Sequence, residues 1–521
     1  MRQIAETRSS DSSTCNNVIP TGTIHFMSVA AKALLDRMMD VNALDAAAAV
    51  MDWDQQTYMP KDGANARGEH QGRLSRMRHE LFTADETRRL VEDARKEAEP
   101  GSDDAAVVRV TSRALDLATK LPAAFVAEKV KLASDAHELW VEARANNNFA
   151  KFAPTLEKMF DLSRQEAEYL GYKEHIYDAL LDQYEEGATA GEVRSMFDAI
   201  RGPQVDLVKQ IQDLPEIDDS WLYGTWDNAK QKMFTDELVQ AIGFDFNSGR
   251  QDVAPHPFCT NFSMNDVRLT TRYKDYLGSA IFGSLHEAGH GMYEQGSPEH
   301  FDRTPLCGGV SLGVHESQSR TWENIVGRSR PFWEYFYPKL QATFPELKDK
   351  SLDVFLKAAN KVKPSFIRVE ADEMTYNLHI MVRFELECAL LEGSLAIKDL
   401  PEAWNEKYRE YLGIVPSNDA EGCLQDVHWS GALVGYFPTY SMGNLLSYQI
   451  WNALQVDVPN TDELMAKGDF KPILQWLQLK VYSQGSRYTP KDLIQRVTGK
   501  PMGAEDYLVG LGAKYRELYG I

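Results

Sequence analysis

Apolar residues recur every three to four positions along most of this chain, with charged residues between them. That spacing belongs to amphipathic helices that turn one face to a core. It predicts helices over 28–52, 64–81, 84–98, 103–118, 123–147, 154–170, 190–212 and 230–242. Further helices are expected over 351–362, 368–392, 401–412, 441–455, 470–482 and 503–518. The pattern changes at Asp266-Val267-Arg268-Leu269-Thr270-Thr271-Arg272-Tyr273, where alternation predicts a short strand. The fold class expected is mainly α.

No linker divides the chain, so residues 27–521 read as one domain. Within it, 27–250 are expected to form a helical wall or lid, and the motif-bearing part spans 251–521. Residues 1–26 are rich in Ser, Thr and Asn and carry Pro20 and Gly22, the composition of a disordered extension or leader. No run approaches the roughly 18 apolar residues of a membrane span.

Composition excludes some partners. With 43% hydrophobic residues the chain can bury a large core, and its net charge of −21 argues against nucleic-acid binding, which needs concentrated Lys and Arg. The cysteines at 15, 259, 307, 388 and 423 form no C-x-x-C pair, which favours a reducing, cytoplasmic setting over a disulfide framework. Acidic runs such as Glu185-Glu186 read as solvated surface.

The chemistry concentrates at His286-Glu287-Ala288-Gly289-His290. Residues four apart on a helix share a face, so two imidazoles converge on one point and supply two of the three protein ligands of a catalytic Zn²⁺ site. Glu287 lies beside them, placed to take a proton from a water at the metal. Ala280, Ile281, Leu285, Ala288 and Met292 form an apolar stripe, and Gly296-Ser297-Pro298 stops the run. Gly283, Gly289 and Gly291 each cost about 1 kcal/mol relative to alanine, so such a helix must be buried and tightly packed.

Tyr293 and Gly296 stand where the long metzincin pattern needs Gly and His, which excludes that class. A glutamate from a following helix is the other common third ligand. Leu312 to Val326 reads as helical after the Gly308-Gly309 break, and Glu316, Ser319, Arg320 and Glu323 share a face. Glu316 is the candidate third ligand, and Glu323 a candidate hydrogen-bond partner for a ligand histidine.

At this point the chain resembles the carboxypeptidase Taq family of zinc metallocarboxypeptidases. The resemblance rests on His256-Pro257-Phe258, Asp266-x-Arg268-x-Thr270, the HExxH, His315-Glu316-Ser317-Gln318, Ile367-Arg368-x-x-Ala371-Asp372 and Gly422-x-x-Gln425-Asp426-x-His428-Trp429, in that order, with an early Trp53-Asp54…Met59-Pro60. It implies a large helical protein with two lobes around a deep active-site groove and a small β-sheet beside the metal site. It also implies a homodimer that removes C-terminal amino acids from peptides, singly and with broad specificity, using Zn²⁺ (Co²⁺ being an acceptable substitute). A related helical oligopeptidase or dipeptidyl carboxypeptidase is the alternative.

Such chemistry needs a cation for the substrate carboxylate and donors for the oxyanion. Arg368 is the preferred clamp and Arg268 the runner-up, because guanidinium pairs with carboxylate bidentately. A strand at 266–273 could also bind an extended peptide by edge pairing. His428 and Tyr436, in a Gly- and Pro-containing loop, are the candidate oxyanion donors, with Tyr440 as the alternative that sequence does not separate from Tyr436. His256, stiffened by Pro257, is expected to line the groove.

Overall fold

The computed structural model describes residues 27–521; the expected extension over 1–26 lies outside them. The fold is mainly helical, and most predicted helices form near their expected bounds, from Val29–Thr57 through Glu505–Tyr519. Local chemistry sets their ends. Ser28 and Ser102 accept hydrogen bonds from Ala31 N and Ala105 N at two helix starts. Thr189 and Glu192 form a reciprocal capping box at the start of Ala190–Gln212.

Several stretches depart from expectation; helices at Ile176–Leu181, Thr461–Ala466 and Pro490–Thr498 form where the pattern predicts none. The helix expected from 368 starts at Glu373, because Asp372 accepts from Met374 N and Thr375 N as its N-cap, leaving Arg368–Glu370 as a separate 3₁₀ turn. Arg330–Thr343, which was not predicted, is also helical. Pro331 and Pro338 and its many aromatics mask the periodicity there.

Three strands form one sheet: β1 (Gly249–Val253), β2 (Cys259–Ser263) and β3 (Asp266–Thr271), in the order β1-β3-β2. β1 pairs with β3 in parallel and β2 pairs with it antiparallel. The predicted strand is therefore central. Both its edges are occupied, so residues 266–271 cannot bind a peptide by edge pairing, and that expectation is corrected.

Two large apolar cores lie on either side of the helix Pro438–Asp457. Met442, Leu445 and Tyr448 belong to one, with Phe160, Phe197 and Phe384; Leu446, Ile450 and Leu454 belong to the other, with the sheet and Leu285. The first core draws on residues from both sides of position 250. A smaller cluster joins the N-terminal helices to Phe301 and Leu306.

Candidate metal centre

The sheet and two helices build the site. The histidine helix, Gly278–Gln295, packs on β3 with Gly291 against Leu269 and Phe244, and Ser284 Oγ donates to Thr271 Oγ1 at 3.1 Å. It crosses the glutamate helix, Leu312–Arg320, at Gly289, where a Cβ would stand 2.6 Å from Gln318 O and Ser319 Cα. On the other side, Gly443 of Pro438–Asp457 lies against Glu316, where any Cβ would collide with its side chain. These close approaches explain the glycine load and bring Glu316 to the histidines.

His286, His290 and Glu316 form a cluster whose candidate ligand atoms all lie within 4.8 Å of one another. Glu316 Oε2 stands 3.6 Å from His286 Nε2 and 3.4 Å from His290 Nε2. Ligands at 2.0–2.2 Å around a tetrahedral ion are about 3.4 Å apart, so the spacing fits a divalent metal.

The hydrogen bonds fit one too. His286 Nδ1 lies 2.9 Å from Glu323 Oε2, which fixes the proton on Nδ1 and leaves the Nε2 lone pair facing Glu316. His290 Nδ1 lies 2.7 Å from His315 Nδ1, and His315 Nε2 2.6 Å from Glu294 Oε1. If Glu294 accepts from His315, then His315 accepts from His290, and the Nε2 of His290 is likewise free for a cation. Two lone pairs and a carboxylate aimed at one point are mutually repulsive without a positive ion between them.

Charge is distributed accordingly. Burial opposes the ionised form of Glu316, but Arg320 and the two histidines outweigh it and hold its pKa well below the carboxylate range. Burial also opposes a charged His286, yet Glu316 and Glu323 raise its pKa, whereas burial takes His290 down to about 4. Arg320 donates from Nε to Glu316 (2.8 Å) and from Nη1 to Glu323 (3.1 Å). The chain then leaves the α conformation for a π turn at Thr321–Val326, a feature that often marks functional sites. Glu287 is buried, and burial pushes its carboxyl up to about 7; no protein group hydrogen-bonds it among the described residues.

The substrate candidates separate. Arg368 and Arg383 are buried around a single carboxylate, Asp426. Arg368 Nε and Nη2 donate to Oδ1 at 3.0 and 2.9 Å, and Arg383 Nε donates to Oδ2 at 2.7 Å. Two guanidinium groups against one carboxylate leave a positive charge in excess. Arg368 also donates to Tyr376 OH at 2.8 Å, and the Tyr376 ring stacks under Arg320, which ties this cluster to the metal centre.

His428 Nδ1 is buried without a hydrogen-bond partner, 3.9 Å from Asp426 Oδ1, and burial lowers its pKa to about 4. Its ring lies 5.5 Å from that of Tyr436, which meets Tyr440 at 5.4 Å.

Arg268 is placed elsewhere. Leu269 and Thr271 face the histidine helix, so strand alternation turns Arg268 to the opposite face. Its fork is bidentate to Asp266 (2.9 and 3.1 Å), and its guanidinium lies between Trp53 (4.2 Å) and Phe262 (4.7 Å). It latches the Val29–Thr57 helix to the sheet. His256 is exposed on the β1–β2 connection, and Thr270 holds that connection by hydrogen bonds to Phe258 N and O.

Sequence reasoning passed over Arg320 as a bridge, His315 and Glu294 as a relay, and Glu185. The Gly308-Gly309 pair was a usable signal for the relay, because a Cβ at either position would press on Glu294 or His315. Glu185-Glu186 is not solvated surface. Glu185 is buried and accepts from Ser311 Oγ and Gly313 N, both at 2.9 Å, while Glu186 pairs with Arg109.

The family model described as "Carboxypeptidase Taq (M32) metallopeptidase" matches residues 33–515. Thermostable carboxypeptidase 1 of Thermus thermophilus is 41% identical over 502 residues, covering 94% of this chain and 98% of the relative. Carboxypeptidase 1 of Bacillus subtilis is 40% identical, with the same coverage of each. Among solved structures, the M32 carboxypeptidase of Deinococcus radiodurans superposes with a TM-score of 0.92 at 38% identity, covering 95% of this chain and all of that one. Trypanosoma cruzi metallocarboxypeptidase 1 gives 0.89 at 35%, covering 94% and 99%.

Proposed function

The chain belongs to the carboxypeptidase Taq (M32) family of metallopeptidases, and from that premise we propose how its residues carry out metal-dependent carboxypeptidase chemistry. His286, His290 and Glu316 hold the metal. The donor set of two imidazoles and one carboxylate suits Zn²⁺, with Co²⁺ accepted. A bound divalent ion lowers the pKa of water and polarises a carbonyl.

The protein's own groups do the rest. Glu287, with its pKa raised into the neutral range by burial, takes a proton from the attacking water and passes it to the leaving amine. His428, neutral at pH 7, and Tyr436 donate hydrogen bonds to the oxyanion. Arg368, in a cluster with one positive charge in excess, draws the substrate's C-terminal carboxylate, so single residues are released from free C-termini with little demand on their side chains. His256 lines the approach, the first half of the chain walls it, and Arg268 keeps that wall on the sheet rather than touching substrate.

The observation that carries this reading is the convergence of two free imidazole lone pairs on Glu316 with Glu287 unpaired beside them. The unpaired thiols at Cys259, Cys307, Cys388 and Cys423 support a cytoplasmic enzyme. No helix among the described residues is long and apolar enough to cross a membrane. Family resemblance supports a homodimer.

The test is a paired digestion of one peptide as free acid and as C-terminal amide, read by mass spectrometry. A one-residue ladder from the acid alone, abolished by chelator and restored by Zn²⁺ or Co²⁺, is expected. Equal cleavage of the amide would overturn the carboxylate clamp.

A further inference from the structure

One segment of the N-terminal half touches both halves of the catalytic apparatus. It runs from the short helix Ile176–Leu181 to Glu186. On one side Glu185 fills the start of the glutamate helix: Ser311 Oγ and Gly313 N donate to its two oxygens at 2.9 Å, and Leu312 N donates to Tyr184 O at 3.4 Å. Ser311 Oγ also accepts from Val314 N, so the whole first turn of that helix is pinned. Gly313 has no room for a side chain, since a Cβ would lie 2.8 Å from Glu185 Oε2. The helix is nine residues long, and Glu316 sits one turn beyond the pinned end.

On the other side the segment meets the loop that carries His428 and Tyr436. Gly435, at φ +87°, lies so close to the Leu180–Leu181 backbone that a Cβ would stand 2.8 Å from Leu180 C. Tyr184 packs edge-on against Tyr436 with ring centroids 5.2 Å apart. Tyr177 OH donates to Glu387 Oε2 at 2.7 Å, and that carboxylate accepts from Gly435 N at 3.2 Å and Trp429 Nε1 at 2.7 Å. The segment is itself fixed from behind, with Arg113 on Asp182 and Arg109 on Glu186.

We infer that residues 177–186 form a strut that sets the metal ligand Glu316 and the oxyanion donor Tyr436 at their working separation, with Glu185 and Tyr177 as its two positioning residues. The inference rests on the roles given above to Glu316 and Tyr436. Neither strut residue touches the reacting atoms. Each acts through a partner, Glu185 through the first turn of the glutamate helix and Tyr177 through Glu387. A carboxylate at a helix N-terminus also lowers the energy of that turn through the helix dipole.

The two arms separate experimentally. Glu185→Ala is expected to weaken Zn²⁺ binding about 10-fold in a chelator competition, the size seen when supports of metal ligands are removed. Glu185→Gln is expected to restore binding, since its oxygen can accept from Gly313 N while its amide donates to Ser311 Oγ. Should Glu185→Ala fail to fold, Glu185→Asp, which retracts the carboxylate by one methylene, takes its place in the comparison. Tyr177→Phe is expected to lower kcat with KM and Zn²⁺ affinity unchanged, because the arm it cuts holds the oxyanion loop. Wild-type Zn²⁺ affinity in the Ala and Asp variants, or Tyr177→Phe with unchanged kcat, would overturn the strut. Failure of the wild-type protein itself to bind Zn²⁺ would instead sink the metal-site reading on which the strut depends.

Discussion

Gly289 of the histidine helix rests directly on the backbone of Ser319, so the two helices that supply the candidate ligands touch where one of them has no side chain. A methyl group there would lie 2.6 Å from Ser319 Cα and from Gln318 O, and neither is the movable end of a side chain. Gly289→Ala gains about 1 kcal/mol of helix propensity, which overpacking of about 1–3 kcal/mol outweighs. The variant is expected to melt earlier and to bind Zn²⁺ more weakly, because the helices must separate and carry Glu316 away from His286 and His290. Thermal melts together with a chelator competition measure both effects.

Glu287→Gln removes the base and leaves every candidate ligand in place. Metal content by elemental analysis should match wild type, while kcat should fall by about 10²–10⁴. Retained turnover would assign the proton transfer to another group.

The relays behind the ligands make a separate claim. Glu323 holds the His286 ring and Glu294, through His315, holds that of His290. Glu323→Gln and Glu294→Gln should each weaken Zn²⁺ about 10–100-fold while leaving the helices intact by circular dichroism. Unchanged affinity in both would make these contacts structural only.

What the sequence disclosed and what it hid follow from how far each contact reaches along the chain. That His286, Glu287 and His290 come together was legible because helical spacing converts sequence directly into direction, and that Glu316 approaches them because its helix follows closely. The place of Arg268 was not legible, because alternation puts it opposite Leu269 and Thr271 without saying which face carries the histidine helix. Glu185 looked like part of an exposed acidic run because its partners, Ser311 and Gly313, lie more than 120 positions away. Arg320 was seen to share the Glu316 face, but its bridging of Glu316 and Glu323 depends on burial that no local pattern encodes.

Arg268 and Arg368 should respond differently to truncation. Arg268→Ala removes cation–π contacts to Trp53 and Phe262, about 1–2 kcal/mol, and should lower Tm with little change in kcat/KM. Arg368→Ala should raise KM for free-acid peptides and leave metal content unchanged, at a stability cost from the buried Asp426 it leaves less well paired. Equal effects on KM would return Arg268 to the substrate.

Glu387 offers a test by pH. Burial pushes its carboxyl up to about 7, against the hydrogen bonds from Trp429, Tyr177 and Gly435, whereas an unfolded glutamate ionises near 4.3. A raised folded-state pKa means that the contribution of this group to stability is fully present below about pH 4.3 and is lost as pH rises through about 7. The loss amounts to roughly 4 kcal/mol at most. Glu387→Gln cannot ionise and escapes that loss, although it disturbs the hydrogen bonds at every pH. The Tm of the variant minus that of wild type should therefore become more positive between pH 5 and pH 8. Other titrating groups are common to both proteins and cancel in the difference. A pH-independent difference would mean that Glu387 is already ionised at pH 5 in the folded protein, with its three donors outweighing burial.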